Sequence, residues 1–205
     1  GKVSTFSFYY GHHMTTIEGG MVCTNDKDIY EKLLLLRSHG LLRELPEESQ
    51  QKYKKVNKNF TFITPGFNVR SSELNAYLGL LQLKNLDKHN KIRQDNFNHF
   101  AKNLDNKKYF NNFKVEGNSS FCFPIITKNK DQKDILLEKL TKEGIETRPV
   151  IAGNLYNHPF IDGVVDKIMN VDDKANYVHE NGFYVGNNHN ISITEVDWLL
   201  NLLNE

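Results

Sequence analysis

The chain is poor in cysteine, tryptophan and proline and has no excess of charge of either sign. Its 205 residues include two Cys, one Trp and five Pro. Two cysteines without a Cys neighbour, Cys23 and Cys122, build neither a disulfide framework nor a thiolate metal knuckle. Both lie in apolar strand-like runs and are expected to be reduced core thiols, with the cytoplasm as the compartment. Twenty-six Lys and Arg against 25 Asp and Glu leave a formal charge of +1, so no general field draws the chain to nucleic acid or to an anionic membrane. Aliphatic runs such as Leu33–Leu36 are far shorter than a membrane span, and the first twenty residues lack the basic start and apolar core of a secretion signal. What remains is an ordinary globular composition, 39% hydrophobic and 25% charged, with room for one or two domains. The chain opens Gly1-Lys2-Val3-Ser4 without a methionine and enters a β-rich aromatic run at once, as a fragment would.

Hydrophobic periodicity organises the rest. Residues 3–10 and Met21-Val22-Cys23-Thr24 read as two strands around a polar loop. Asp26 or Asp28 caps a helix whose apolar positions Ile29, Leu33 and Leu36 recur at helical spacing until Gly40. From Leu41 to Lys58 no periodicity is visible, and the segment is expected to be a surface excursion or lid. Ser71-Ser72-Glu73 opens the strongest helical pattern, with Leu74, Leu78, Leu81 and Gln82 followed by Leu86, Phe97, Phe100 and Leu104. Strand, helix and strand then follow over 121–126, 135–144 and 145–151. Val171–Glu180 and Thr194–Leu203 read as helices on either side of the apolar run Phe183-Tyr184-Val185.

The loop from Gly11 to Gly20 gathers His12, His13, Thr15, Thr16 and Glu18 between two strands, the composition of a functional loop. A mixed metal site from His12 or His13 with His39 and Glu18 is one reading, but no ligand pair has the i, i+4 spacing of a helical site. Structural hydrogen bonding is the ordinary fate of single histidines. Arg70 serves equally as a phosphate ligand or as a partner for Glu73 one turn on. Arg148 before Pro149 reads equally as a nucleotide-diphosphate ligand or as a solvated strand-end charge, and turn chemistry accounts for Asn187, Asn188 and His189.

A more specific signal lies in Ser7-Phe8-Tyr9-Tyr10-Gly11-His12-His13-Met14-Thr15-Thr16-Ile17-Glu18-Gly19-Gly20-Met21-Val22. This string resembles the cofactor-lysine segment of the DegT/StrS family of vitamin-B6-dependent nucleotide-sugar aminotransferases. His12 stands at the family's lysine position, a replacement shared with a 3-dehydratase branch of the family. Gly66-Phe67-Asn68-Val69-Arg70-Ser71-Ser72-Glu73-Leu74, with Gly79 and Gln82-Leu83, resembles the segment whose Asn reaches the cofactor phosphate of a neighbouring subunit. Arg37-Ser38-His39-Gly40 fits the same pattern. Ala152-Gly153-Asn154-Leu155 with His158-Pro159-Phe160 resembles the dehydratase-type substrate loop.

The resemblance implies an α/β fold of the aspartate-aminotransferase type. Residues 1–90 would form the second part of the large cofactor-binding domain with a long connecting helix, and 91–205 the small C-terminal domain. It implies pyridoxamine 5′-phosphate or pyridoxal 5′-phosphate as cofactor, with Ser7 and Asn68 on the phosphate and His12 as catalytic base. An imidazole forms no stable imine but remains a general base near neutral pH, so removal of a sugar C3 hydroxyl is expected in place of amination. His13, Arg70, Arg148 and Asn154 are the candidate substrate-binding residues. Further expectations are a nucleotide-sugar substrate, glutamate as amino donor, a homodimer with shared sites, and a role in deoxysugar and lipopolysaccharide biosynthesis. No metal, nucleic acid or membrane partner is expected, and two cysteines exclude a four-Cys iron–sulfur cluster. An ordinary aminotransferase that has lost its lysine, and a non-catalytic sugar-nucleotide sensor, are the alternatives. The family's upstream half supplies other parts of the cofactor pocket, so this stretch alone is expected to be inactive.

Overall fold

The computed structural model describes residues 1–164 and 173–205. The chain separates into two units, Gly1–Leu86 and Asp87–Glu205. In the first, β1 (Val3–Ser7) and β2 (Gly20–Thr24) pair antiparallel, with Ser7 opposite Gly20 at the loop end. Both strands are largely exposed, Cys23 included. The expectation of a buried thiol therefore fails at Cys23: a two-stranded sheet leaves faces that a larger sheet would cover. Cys122 is half-buried, and burial pushes its thiol pKa upward.

Helix α1 (Lys27–Arg37) starts where Asp26 accepts the Ile29 N–H at 3.1 Å, satisfying one of the orphan amides of a first turn. It closes on Gly40, whose N–H bonds to the Leu35 carbonyl at 2.8 Å and whose φ is +76°. The segment after it is not simply a surface excursion. Leu41, Leu42 and Leu45 are buried, and Ser49 of the short α2 (Glu47–Gln50) is buried with them. Helix α3 (Glu73–Leu83) is capped by Ser72 and Asn75, each side chain meeting the other's backbone N–H, an Asn variant of the capping box. The single long helix expected through Leu104 is two helices. After α3 the Asn85 N–H turns back to the Gln82 carbonyl at 3.0 Å, a three-residue step that tightens the chain before α4 (Leu86–Asn103) begins.

The second unit is a three-stranded antiparallel sheet covered by helices. Strands β3 (Cys122–Ile126), β4 (Thr147–Pro149) and β5 (Gly182–Gly186) run in the order β3-β5-β4, with Phe123 opposite Val185 and Arg148 opposite Tyr184. The strand expected over 145–151 is only three residues long. Helices α5 (Lys130–Lys142), α6 (Asp173–Asn181) and α7 (Ile193–Asn204) complete the unit. Of the helix expected over Val171–Glu180, residues 171 and 172 lie outside the described residues. Phe97 and Phe100 fall on one face of α4, with Leu104 just past its end, and Val196, Leu199, Leu200 and Leu203 fall on one face of α7. These pack with Phe123, Ile125, Leu136, Leu140 and Phe183 into one core. The Tyr109 hydroxyl donates to the Leu203 carbonyl at 2.6 Å, and burial raises its pKa to about 12. No helix among the described residues is long and apolar enough to cross a membrane.

One polar joint ties α4 to the loop after β5. Arg93 is 3% exposed and has no carboxylate partner among the described residues. Its Nε donates to the Asn187 carbonyl at 3.3 Å, and its Nη2 lies 3.3 Å from His189 Nδ1. A guanidinium only donates, so His189 Nδ1 must accept and the ring is neutral. The His89 ring stacks on His189 at 3.7 Å and 10°. Asn187 is buried and its Nδ2 donates to the Arg93 and Ser120 carbonyls, a structural role as turn chemistry suggested.

Burial first, and the Arg93 charge after it, lower the His89 pKa; for His189 burial leads, followed by His89 and Arg93. The unfolded chain therefore takes up these protons first as pH falls. The joint's contribution is intact above about pH 6.5, the unperturbed imidazole value, and weakens below it. The urea midpoint is expected to fall between pH 7 and pH 5, and to fall less in His189→Asn, which keeps an acceptor but does not titrate. In the core, Phe100→Ala is expected to cost about 3–5 kcal/mol by urea unfolding, because it opens a cavity at a fully buried site.

Candidate active site

The loop between β1 and β2 is built from its own polar groups. Phe8 N–H bonds to the Gly19 carbonyl at 2.9 Å, and Thr16 N–H to the Phe8 carbonyl at 2.8 Å, closing the neck. The Thr16 hydroxyl donates to the Glu18 carbonyl at 2.8 Å, and the Ile17 N–H to the Thr15 hydroxyl at 3.0 Å. Gly19 is required here: a Cβ on it would sit 2.4 Å from the Thr16 hydroxyl oxygen. Within the loop, His12 N–H bonds to the Tyr9 carbonyl at 3.0 Å, and the two rings meet edge to face at 6.0 Å. His12 and His13 are both half-buried.

The loop rests on α3. Gln82 Oε1 accepts the Thr15 N–H at 3.0 Å while its Nε2 donates to the Thr15 carbonyl. Asn75 Nδ2 donates to the carbonyls of Thr16 at 2.7 Å and Glu18 at 3.1 Å. Gly79 lies between them, where a Cβ would come within 3.2 Å of the Thr16 methyl.

The other sequence-derived residues divide by surroundings. Ser7, at the end of β1, is exposed, and its Oγ accepts the Tyr9 N–H at 3.3 Å. Asn68 is exposed in a bridge to Ser38, flanked by His39 N–H to the Phe67 carbonyl at 2.7 Å and Val69 N–H to the Arg37 carbonyl at 3.0 Å. Arg70 is exposed and forms no ion pair with Glu73 among the described residues. Ser7, His12, His13, Asn68 and Arg70 thus belong to one unit, on segments flanking α3.

Arg148 and Asn154 lie in the other unit. The Arg148 Nε and Nη2 both reach Glu146 Oε1 at 2.9 Å, and that hydrogen bond raises the guanidinium pKa. Asn154 is 4% exposed; its Oδ1 accepts the Tyr156 N–H at 3.1 Å and its Nδ2 donates to Asn176 at 2.7 Å. Its amide shapes the 152–157 turn and is turned inward.

Sequence reasoning weighed His39 only as a metal ligand and gave Asn75 and Gln82 no role of their own. His39 has φ +59° and lines an open cavity of about 580 Å³ with Phe62, Ile63, Thr64, Pro65 and Gly66. Gln82 interrupts an apolar helical stripe, and that interruption was the available signal. Among the described residues no group of three or more His, Cys, Asp or Glu is placed to hold a metal ion.

Comparison with known proteins shows that this architecture is the α/β fold of the aminotransferases. An aminotransferase of Helicobacter pylori involved in pseudaminic acid biosynthesis superposes with TM-score 0.79 at 24% identity, covering 99% of this chain and 52% of the other. The match narrows to one family: residues 1–197 fit the model of the DegT/DnrJ/EryC1/StrS aminotransferase family, and the chain belongs to it. It is 35% identical over 212 residues to GDP-4-keto-6-deoxy-D-mannose 3-dehydratase of Escherichia coli O55:H7, covering 99% of this chain and 54% of that protein. The Yersinia pseudotuberculosis protein of the same name is 34% identical with the same coverage. A crystal structure of GDP-4-keto-6-deoxymannose-3-dehydratase with a trapped PLP-glutamate geminal diamine superposes with TM-score 0.89 at 32% identity, covering 99% of this chain and 55% of that one. The chain spans about half the length of the curated relatives it matches.

The turn that presents His39 tests the local geometry. A Cβ on Gly40 would lie 1.7 Å from the Thr64 carbonyl oxygen, at a φ of +76°. Gly40→Ala is expected to destabilise the first unit by more than about 1 kcal/mol, read as a lowered urea midpoint for Trp-independent probes such as loop amide exchange.

Proposed function

We propose that this chain carries the His-bearing half of a vitamin-B6-dependent nucleotide-sugar 3-dehydratase. The observation that carries the reading is that the β1–β2 loop presents His12, and that no lysine occurs between Val3 and Thr24. The chemistry of the donors fits the cofactor. Ser7 and Asn68 are exposed, and among the described residues neither the Ser7 O–H nor the Asn68 carboxamide donates to protein, leaving both for a phosphate. Bound there, pyridoxamine 5′-phosphate supplies an amine for a sugar ketone and an electron sink for the adjacent carbon.

This chain's residues then do the positioning and proton work. His12, held at the loop's turn, accepts a proton with Nδ1 or Nε2 and serves as general base. It cannot tether the cofactor as a lysine would, so binding rests on the phosphate donors. Arg70, free of a carboxylate partner among the described residues, suits a nucleotide diphosphate. Arg148 is engaged by Glu146 and suits it less. Relatives named GDP-4-keto-6-deoxy-D-mannose 3-dehydratase support a GDP-linked 4-keto sugar as substrate, and the trapped PLP-glutamate species supports glutamate as amino donor. The exposed apolar side chains Leu74, Tyr77 and Leu80 of α3 support a homodimer, and the cytoplasm is the proposed compartment.

The test is borohydride trapping with pyridoxal phosphate, followed by mass spectrometry, in a chain extended to the length of its relatives. His12→Lys is expected to become labelled at residue 12, while the unaltered protein binds pyridoxal and pyridoxamine phosphates and releases both on dialysis. Absence of cofactor binding to either protein would overturn the reading.

A further inference from the structure

We propose that Gln82 and Asn75 are positioning residues for His12, acting through the backbone of its loop. The inference rests on the reading of His12 as the base. A loop of this length between two paired strands has no ladder of its own, and its peptide groups default to water and to motion. Here they are claimed by two side-chain amides of one helix. Asn75, Gly79 and Gln82 stand at i, i+4 and i+7, on one face of α3.

Gln82 meets both halves of a single residue. It accepts the Thr15 N–H and donates to the Thr15 carbonyl, as a strand partner does in an antiparallel pair. Two opposed bonds, to the peptide groups on either side of the Thr15 Cα, fix that residue's direction as well as its place, three residues past His12. Asn75 is itself oriented, because its Oδ1 is held by Ser72 in the helix cap. Its Nδ2 is thereby aimed at the loop, where it bridges the carbonyls on either side of Ile17. Ile17 is a β-branched residue at φ +72°, a conformation that persists only where surroundings over-determine it. Gly79 completes the device: with no Cβ it lets Thr16 lie against the helix, and Thr16 is 5% exposed as a result. None of these bonds uses a side chain of the histidines, so the grip acts on where the backbone carries the imidazole.

The experiment is NMR on the chain itself, with His12 ring signals assigned by their loss in His12→Asn. In Gln82→Leu, exchange of the Thr15 amide, and of the neighbouring Thr16 amide through the loosened loop, is expected to rise roughly tenfold, the scale of one lost part-buried hydrogen bond. The His12 ring signals are expected to shift, while those of His99 and His158 and the melting temperature stay in place. Gln82→Glu keeps the acceptor for Thr15 N–H and loses the donor, so it is expected to fall between; it also decides the matter if the leucine variant does not fold. Unchanged Thr15 and Thr16 exchange with unmoved His12 signals would overturn the inference. No cofactor enters this readout, so failure of His12 as a base in the trapping experiment leaves it standing, and its own failure leaves that reading untouched.

Discussion

The peptide groups of the His12 loop have to find partners, and how they do so governs the first unit. Backbone N–H and C=O groups set against a helix cannot stay unpaired without cost. The chain meets this with two carboxamides spaced to reach the loop, and with a glycine where the backbone must come close. The α3 cap serves the same end, since Asn75 both closes the helix start and faces the loop. One stretch of eleven residues therefore supports its own first turn and holds the segment that carries His12.

The second unit follows a different economy. Its order comes from an apolar core in which α4 and α7 press on β3 and β5. Among the described residues the one charged group taken inside is Arg93, whose Nε and Nη2 meet a carbonyl and an imidazole while its Nη1 has no partner. A guanidinium bound to a neutral ring makes that joint dependent on the protonation of its neighbours, which carboxylate pairing would not do.

The family signature was legible because it is local. Ser7, His12, Asn68 and Arg70 stand in short strings whose order needs no folding to be read, and the caps at Asp26 and Ser72 likewise follow from a few adjacent residues. Misreadings arose where spatial neighbours decide. Cys23 sits in an apolar run that reads as core, yet its strand has one partner and open faces. Leu41, Leu42 and Leu45 have no helical or strand period, yet they are buried.

By itself the sequence determined most of the element types, the family, and the presence of His12 and absence of lysine in the β1–β2 segment. Periodicity, capping and motif order depend on residues close in the chain, so no tertiary knowledge was needed. Only the tertiary structure decided which polar side chains are spoken for and which face outward. Gln82 reaches Thr15 across 67 residues and Arg93 reaches His189 across 96, separations at which hydrogen-bond partners are fixed by packing and not by local order.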